Sequence, residues 1–140
     1  MRIAIFISSH GFGHAARATA IAEALSKRIP NLQFDLLTAV PEWFFKSAHI
    51  QFDYHYLDCD PGLKQTNPFD VDLQGSAYAL NRLLPFDQIQ IKTIAKRLNE
   101  RRCRLILCDV AVFGIAVAKI ARLPSVLVEN FTWDWIYHAL

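Results

Sequence analysis

The run RIAIFIS at 2–8 is short, apolar and rich in isoleucine. A half-buried strand alternates apolar and polar residues, and this run does not. It predicts a strand buried on both faces, as the parallel sheets of α/β proteins require. The chain does not then turn back in a hairpin. The glycine-containing loop HGFG at 10–13 leads into Ala18, Ile21, Ala22 and Leu25, spaced i, i+3, i+4 and i+7. That spacing makes one apolar stripe on a helix. Lys27 and Arg28 fall at its C-terminal end, where cations suit the helix dipole, and Pro30 stops it.

The alternation continues along the chain. QFDLLTAV (33–40) reads as a second strand, and PEWFFKSA (41–48) opens with proline at a helix's first turn. FDYHYLD (52–58) alternates and reads as a third strand. The stretch 59–71, with its Pro, Gly, Asp and Asn, reads as a long loop. A helix is expected over 72–84, ending before Pro85. Another is expected over 86–102, with Ile91, Ile94, Ala95 and Leu98 on one face. RLILCDV (104–110) reads as a fourth strand, Phe113, Ala116, Val117 and Ile120 as the stripe of the next helix, and SVLVEN (125–130) as a fifth strand. FTWDWIYHAL then enters a helix still running at Leu140. No internal repeat or low-complexity tract interrupts the pattern. Strands alternating with helices imply parallel pairing through right-handed crossovers. The expectation is a Rossmann-like open parallel sheet of order 3-2-1-4-5 with helices on both faces. A sheet of this kind usually continues, so 1–140 is expected to be a single domain, incomplete at its C-terminal end.

Composition narrows the class. The 140 residues are one domain's worth, and 53% apolar against 20% charged residues can bury a core. A formal charge of +2 is too mild to argue for nucleic acid. The basic cluster KRLNERRCR at 96–104 has helix-like spacing and reads as a solvated helix end. Cys59, Cys103 and Cys108 are odd in number and form no C-x-x-C pair, so they read as free thiols in a reducing compartment. The apolar IAIFI is shorter than the roughly 7–15 residues of a signal peptide. VAVFGIAVA (110–118) is shorter than the roughly 20 needed to cross a bilayer. A soluble, cytoplasmic protein is expected. His49, His55 and His138 have no carboxylate or histidine at ligand spacing, and no metal is assigned.

In open parallel sheets, ligands bind beyond the carboxyl ends of the strands. Three groups converge there on this reading. The loop after strand one offers Ser8, Ser9, His10, Gly11, Gly13 and His14; strand four ends in Asp109; strand five ends in Glu129 and Asn130. Glycines let backbone N–H groups approach a ligand at a helix N-terminus, where anions are favoured. A histidine in such a loop can serve as general base, and a carboxylate facing it would fix its tautomer. Other uses stay open. His14 could cap the helix or bond a carbonyl, Asp109 could N-cap the helix after it, and the glycines could be turn residues only. The aromatics at 43–45 read as packing. Gly11-Phe-Gly13-His-Ala-Ala16 also fits a G-x-G-x-x-A dinucleotide fingerprint. That site needs an acidic residue at the end of strand two, where Thr38-Ala39 stand, while Asp35 lies in mid-strand.

HGFGHAAR (10–17) resembles the first loop of GT-B glycosyltransferases, where a Gly-His pair follows the first strand. It is more similar still to the glycosyltransferase-like N-terminal region of L-arabinokinase-type proteins. LDCDPG (57–62), LILCDV (105–110) and SVLVENFTWDWIY (125–137) resemble segments of that group in the same order. The resemblance implies the N-terminal, acceptor-side half of a two-domain GT-B architecture. It further implies a nucleotide-sugar donor, a UDP-sugar by preference, and a sugar-containing acceptor. By position it makes His14 the base that removes the acceptor's hydroxyl proton and Asp109 its partner, with His10 the runner-up base. Together with the strand-end reading, it leaves His10, Gly11, Gly13, Arg17, Glu129 and Asn130 as candidates for substrate binding. Nothing here corresponds to the second, donor-binding domain, so sugar transfer by this chain alone is not expected. The alternative is a non-catalytic or truncated module that binds a sugar or nucleotide and self-associates or binds a partner chain.

Overall fold

The computed structural model describes residues 1–132, Trp135 and His138. Five parallel strands make the main sheet: β1 (Arg2–Ile7), β2 (Gln33–Thr38), β3 (Gln51–Tyr56), β6 (Cys103–Asp109) and β7 (Ser125–Val128). Their spatial order is β3-β2-β1-β6-β7, the expected 3-2-1-4-5 when only main-sheet strands are counted. The sheet thus grows from β1 toward β3 first, and the chain then crosses to the other side of β1 for β6 and β7. That reversal is a topological switch point between β1 and β6, where an open α/β sheet leaves a crevice at its carboxyl ends. In register, Ile7 stands opposite Asp109.

Helix α1 (Phe12–Ser26) covers one face of the sheet. Its alanines Ala15, Ala18 and Ala22 let it lie close on Ile3, Ile5, Ile7, Phe34 and Leu36. Helices α3 (Gln88–Glu100) and α4 (Phe113–Ala121) cover the other, packing Ile91, Leu98, Phe113 and Val117 on Phe6, Leu37 and Ile106. Helix α2 (Leu73–Leu83) is N-capped by Asp72 and α3 by Asp87, each carboxylate accepting first-turn N–H groups.

Three local expectations change. Residues 41–48 form only a 3₁₀ turn at Glu42–Phe45, in which Phe45 is buried but Trp43 is 62% exposed. The loop 59–71 carries a small antiparallel hairpin, β4 (Gln65–Asn67) with β5 (Asp70–Val71). Ile120 lies on the exposed side of α4, whose buried stripe runs through Gly114, Val117, Ala118 and Ala121 instead. The terminal helix expected from 131 onward falls largely outside the described residues.

All three cysteines are free and buried. Burial pushes the Cys108 thiol up to about 12, so it stays protonated. Among the described residues, no helix is long and apolar enough to cross a membrane, and no group of His, Cys, Asp and Glu gathers at metal-binding geometry.

Candidate active site

The site forms because β1 and β6 are neighbours. Ser8, buried just past β1, donates its backbone N–H to the carbonyl of Asp109 at 3.1 Å. Gly11 then starts α1 with φ +78, a backbone conformation that favours glycine, and no side chain caps the first turn. Gly13 is already helical and has open space where a Cβ would stand. His14 and Arg17 come next at i and i+3, on one side of α1.

Both reach Asp109, which is 2% exposed at the end of β6. His14 Nδ1 lies 2.9 Å from Asp109 Oδ1. A carboxylate only accepts, so Nδ1 carries the proton, and in the neutral imidazole the lone pair is on Nε2. Arg17 donates from Nε to Oδ2 at 2.8 Å and from Nη2 to Oδ1 at 2.6 Å, a two-pronged grip. Arg17 Nη1 donates to Asn130 Oδ1 at 3.3 Å, tying in the end of β7. Burial pushes the Asp109 carboxyl up, but hydrogen bonds from Arg17 and His14 and their charge outweigh it. The net effect holds the group below the ordinary carboxylate range. Phe131 stands edge-on to the His14 ring, centroids 6.2 Å apart.

Asp109 is not the cap of α4; that position is Val112, with no side-chain cap. Directly after Asp109, Val110 takes φ +59, a costly conformation for a β-branched residue, of order 1–3 kcal/mol. Nothing in the amino-acid pattern announces it. Glu129 is exposed beyond β7 and takes no part in the His14–Asp109–Arg17 contacts.

His10 sits on the other side of the mouth. Its backbone N–H bonds Ser8 Oγ at 3.2 Å, and its ring packs on Gly62 of the loop after β3. A Cβ at Gly62 would lie 2.5 Å from His10 Nδ1, and Gly62 has φ +57, so two independent constraints select glycine there. Burial lowers the His10 pKa; Asp60 opposes this, and His14 and Lys64 add to it. Beyond Gly62 opens a cavity of about 550 Å³, lined by Asp58, Pro61 and Lys64 of this loop, Tyr78 and Arg82 of α2, and Phe113 of α4. The length of this loop marks it in the sequence as functional or mobile, but no residue of it, or of α2, is among the candidate site residues read there.

The dinucleotide fingerprint lacks its carboxylate. Asp35 is fully buried in the middle of β2 and bonds Arg2 Nη1 at 3.1 Å and His55 Nε2 at 2.7 Å, with Arg101 Nε 2.9 Å away. At the end of β2 it is Thr38 Oγ1 that accepts a bond, from the Val40 N–H. His55 therefore does have a carboxylate partner, and Arg101 turns inward from the basic cluster at 96–104.

No protein-family model matches the chain. Over 140 residues it is 28% identical to L-arabinokinase of Arabidopsis thaliana, a match that covers 96% of this chain and 13% of that protein. Among solved structures it resembles a UGT transferase from Siraitia grosvenorii in complex with UDP, with a TM-score of 0.61 and 17% identity over 92% of this chain and 28% of the other. It also resembles Glycyrrhiza uralensis UGT73P12 complexed with glycyrrhetinic acid 3-O-monoglucuronide, at TM-score 0.52 and 17% identity over 94% of this chain and 28% of that one. The chain thus spans a small part of every relative named. What these likenesses establish is the fold, a Rossmann-like parallel α/β sheet of the kind that builds half of a GT-B glycosyltransferase.

Proposed function

We propose that residues 1–140 are the acceptor-side domain of a glycosyltransferase that draws its sugar from a nucleotide-sugar, with His14 as general base and Asp109 as its orienter. The observation that carries this reading is the 2.9 Å contact between His14 Nδ1 and Asp109 Oδ1 at the carboxyl mouth of the sheet. The contact leaves Nε2 as the basic nitrogen. In the reaction, Nε2 takes the proton of an acceptor hydroxyl as its oxygen bonds to the donor's anomeric carbon. The bond from that carbon to the nucleoside diphosphate breaks, and the diphosphate leaves with the electron pair. Asp109, held ionised, stabilises the imidazolium that forms.

The 550 Å³ cavity between the loop after β3 and α2 suits the acceptor. An aromatic face at Tyr78 with Arg82, Lys64 and Asp58 around it matches a hydroxylated, sugar-bearing molecule better than a purely apolar one. The uncapped first turn of α1 suits the donor's phosphates. UDP bound in the Siraitia structure supports a uridine diphosphate donor. Most of the donor site would come from a second domain outside these residues, and the protein would work in the cytoplasm.

The test uses the full-length protein. His14→Ala is expected to lower turnover roughly 10²–10⁴-fold while the variant still binds UDP. Unchanged turnover refutes the assignment of the base. UDP binding by a wild-type protein that turns over no acceptor would mark a non-catalytic binding module instead.

A further inference from the structure

Arg17 belongs to the same mouth, and what it does there depends on the proposed role of His14. We infer that Arg17 is a positioning residue rather than a substrate-binding one: its two-pronged grip on Asp109 fixes the carboxylate that selects the His14 tautomer.

A guanidinium has five N–H groups and no acceptor. Here Nε and Nη2 each place an N–H on Asp109, and Nη1 places one on Asn130. Most of the fork is satisfied within the protein, which leaves little for a phosphate. The carboxylate, for its part, needs an external constraint. The terminal torsion of an aspartate is broad and roughly two-fold, so the backbone of β6 alone does not decide where Oδ1 points. The Nε–Oδ2 and Nη2–Oδ1 pair sets the plane of the carboxylate and presents Oδ1 to His14 Nδ1.

Repulsion between donors adds to this. Arg17 Nη2 is 3.4 Å from His14 Nδ1. With Nδ1 protonated, both atoms are donors and neither can bond the other. Oδ1 accepts from each and keeps the arrangement stable. If the carboxylate turned away, two donors would stand side by side, and the imidazole would favour its other tautomer. Burial at 2% exposure also makes Asp109 depend on a cationic partner for its ionised form. Lysine can supply a charge at this position but not a fork.

The test reads the tautomer directly, by imidazole ¹⁵N NMR of the protein, with the His14 signals identified by their loss in His14→Gln. Wild type is expected to show Nδ1 protonated and Nε2 bare. Arg17→Lys and Arg17→Ala are both expected to shift toward a mixture of tautomers, with affinity for UDP within about twofold of wild type. In the full-length protein, kcat should fall by up to about 10²-fold in both variants with the donor KM unchanged. An unchanged tautomer in either variant overturns the inference. So does a loss of UDP affinity beyond about tenfold in Arg17→Ala that Arg17→Lys restores, the signature of a charge that binds phosphate. Should Arg17→Ala not fold, Arg17→Lys, which keeps a cation beside Asp109, decides the matter. The tautomer is read without turnover, so it still decides Arg17 if His14→Ala leaves turnover intact.

Discussion

His10 owes its position to a glycine on a distant loop. Replacing Gly62 with alanine places a methyl 2.5 Å from the ring and a side chain on a residue at φ +57. The left-handed conformation costs roughly 1–2 kcal/mol for a residue with a Cβ, and the ring must also move outward. Burial is the main force holding the His10 pKa down, with His14 and Lys64 helping and Asp60 opposing. Gly62→Ala is therefore expected to lower stability by at least about 1 kcal/mol and to move the His10 titration up toward an ordinary imidazole. Denaturant unfolding and an NMR titration of the ring measure the two effects. A midpoint that stays where it is in wild type would mean that packing on Gly62 is not what holds His10. Much of the site could be read from residue types alone. HGFGHAAR and the Asp109 that ends an apolar run mark the two sides of the mouth. The bonds between them could not be read. The grip of Arg17 on Asp109, the packing of His10 on Gly62 and the left-handed Val110 depend on distances between segments far apart in the chain, and neither periodicity nor composition encodes such distances.

Among the elements, β2 joins the fold to its electrostatics. Its fully buried Asp35 faces His55 and Arg2 directly and Arg101 at ion-pair distance, while Asp53 on β3 shares both arginines. Burial pushes Asp35 up, yet the His55 and Arg2 hydrogen bonds and the charges of Arg2 and Arg101 outweigh it, so its folded pKa lies below the ordinary value. A depressed folded pKa contributes stability that is complete above the unfolded value of about 3.9 and is lost as pH falls through the folded value. Stability is thus expected to fall steeply below about pH 4. Asp35→Asn should cost about 1.5–3 kcal/mol near neutral pH by losing charge-assisted hydrogen bonds, since Asp53 still pairs with both arginines, and it should flatten the acid limb. Urea unfolding across pH checks both, and an acid limb equally steep in the variant would assign acid sensitivity to other carboxylates. The main-sheet strands and helices α1–α4 show in the sequence because each carries a sustained period, or an apolar run with clear stops. The 3₁₀ turn at 42–45 and the small hairpin at 65–71 do not show. Pro41 before a run of aromatics is compatible with any short helical turn, and the hairpin strands are too short and too exposed to leave a period.

At the scale of the molecule, the sheet divides the interior into two hydrophobic clusters, one under α1 and one under α3 and α4. Only the first supports the helix that carries His14 and Arg17. Ile5 lies in it, and Ile91 lies across the sheet in the second. Each is nearly inaccessible to solvent, so Ile→Val at either position should cost about 0.5–1.5 kcal/mol by the lost methylene and the space it leaves. The two sites share no face of the sheet, so the double variant should cost the sum of the singles to within about 0.5 kcal/mol. Their effects on the mouth should differ. Ile5→Val loosens the bed of α1 and should broaden the His14 ring signals, whereas Ile91→Val should leave them as they are. Denaturant unfolding of the cycle together with the imidazole spectra makes the comparison. Coupling well above about 0.5 kcal/mol, or equal broadening from both sides, would show that the sheet transmits packing changes between its faces. The His14–Asp109 geometry would then depend on the whole core rather than on α1 and its bed.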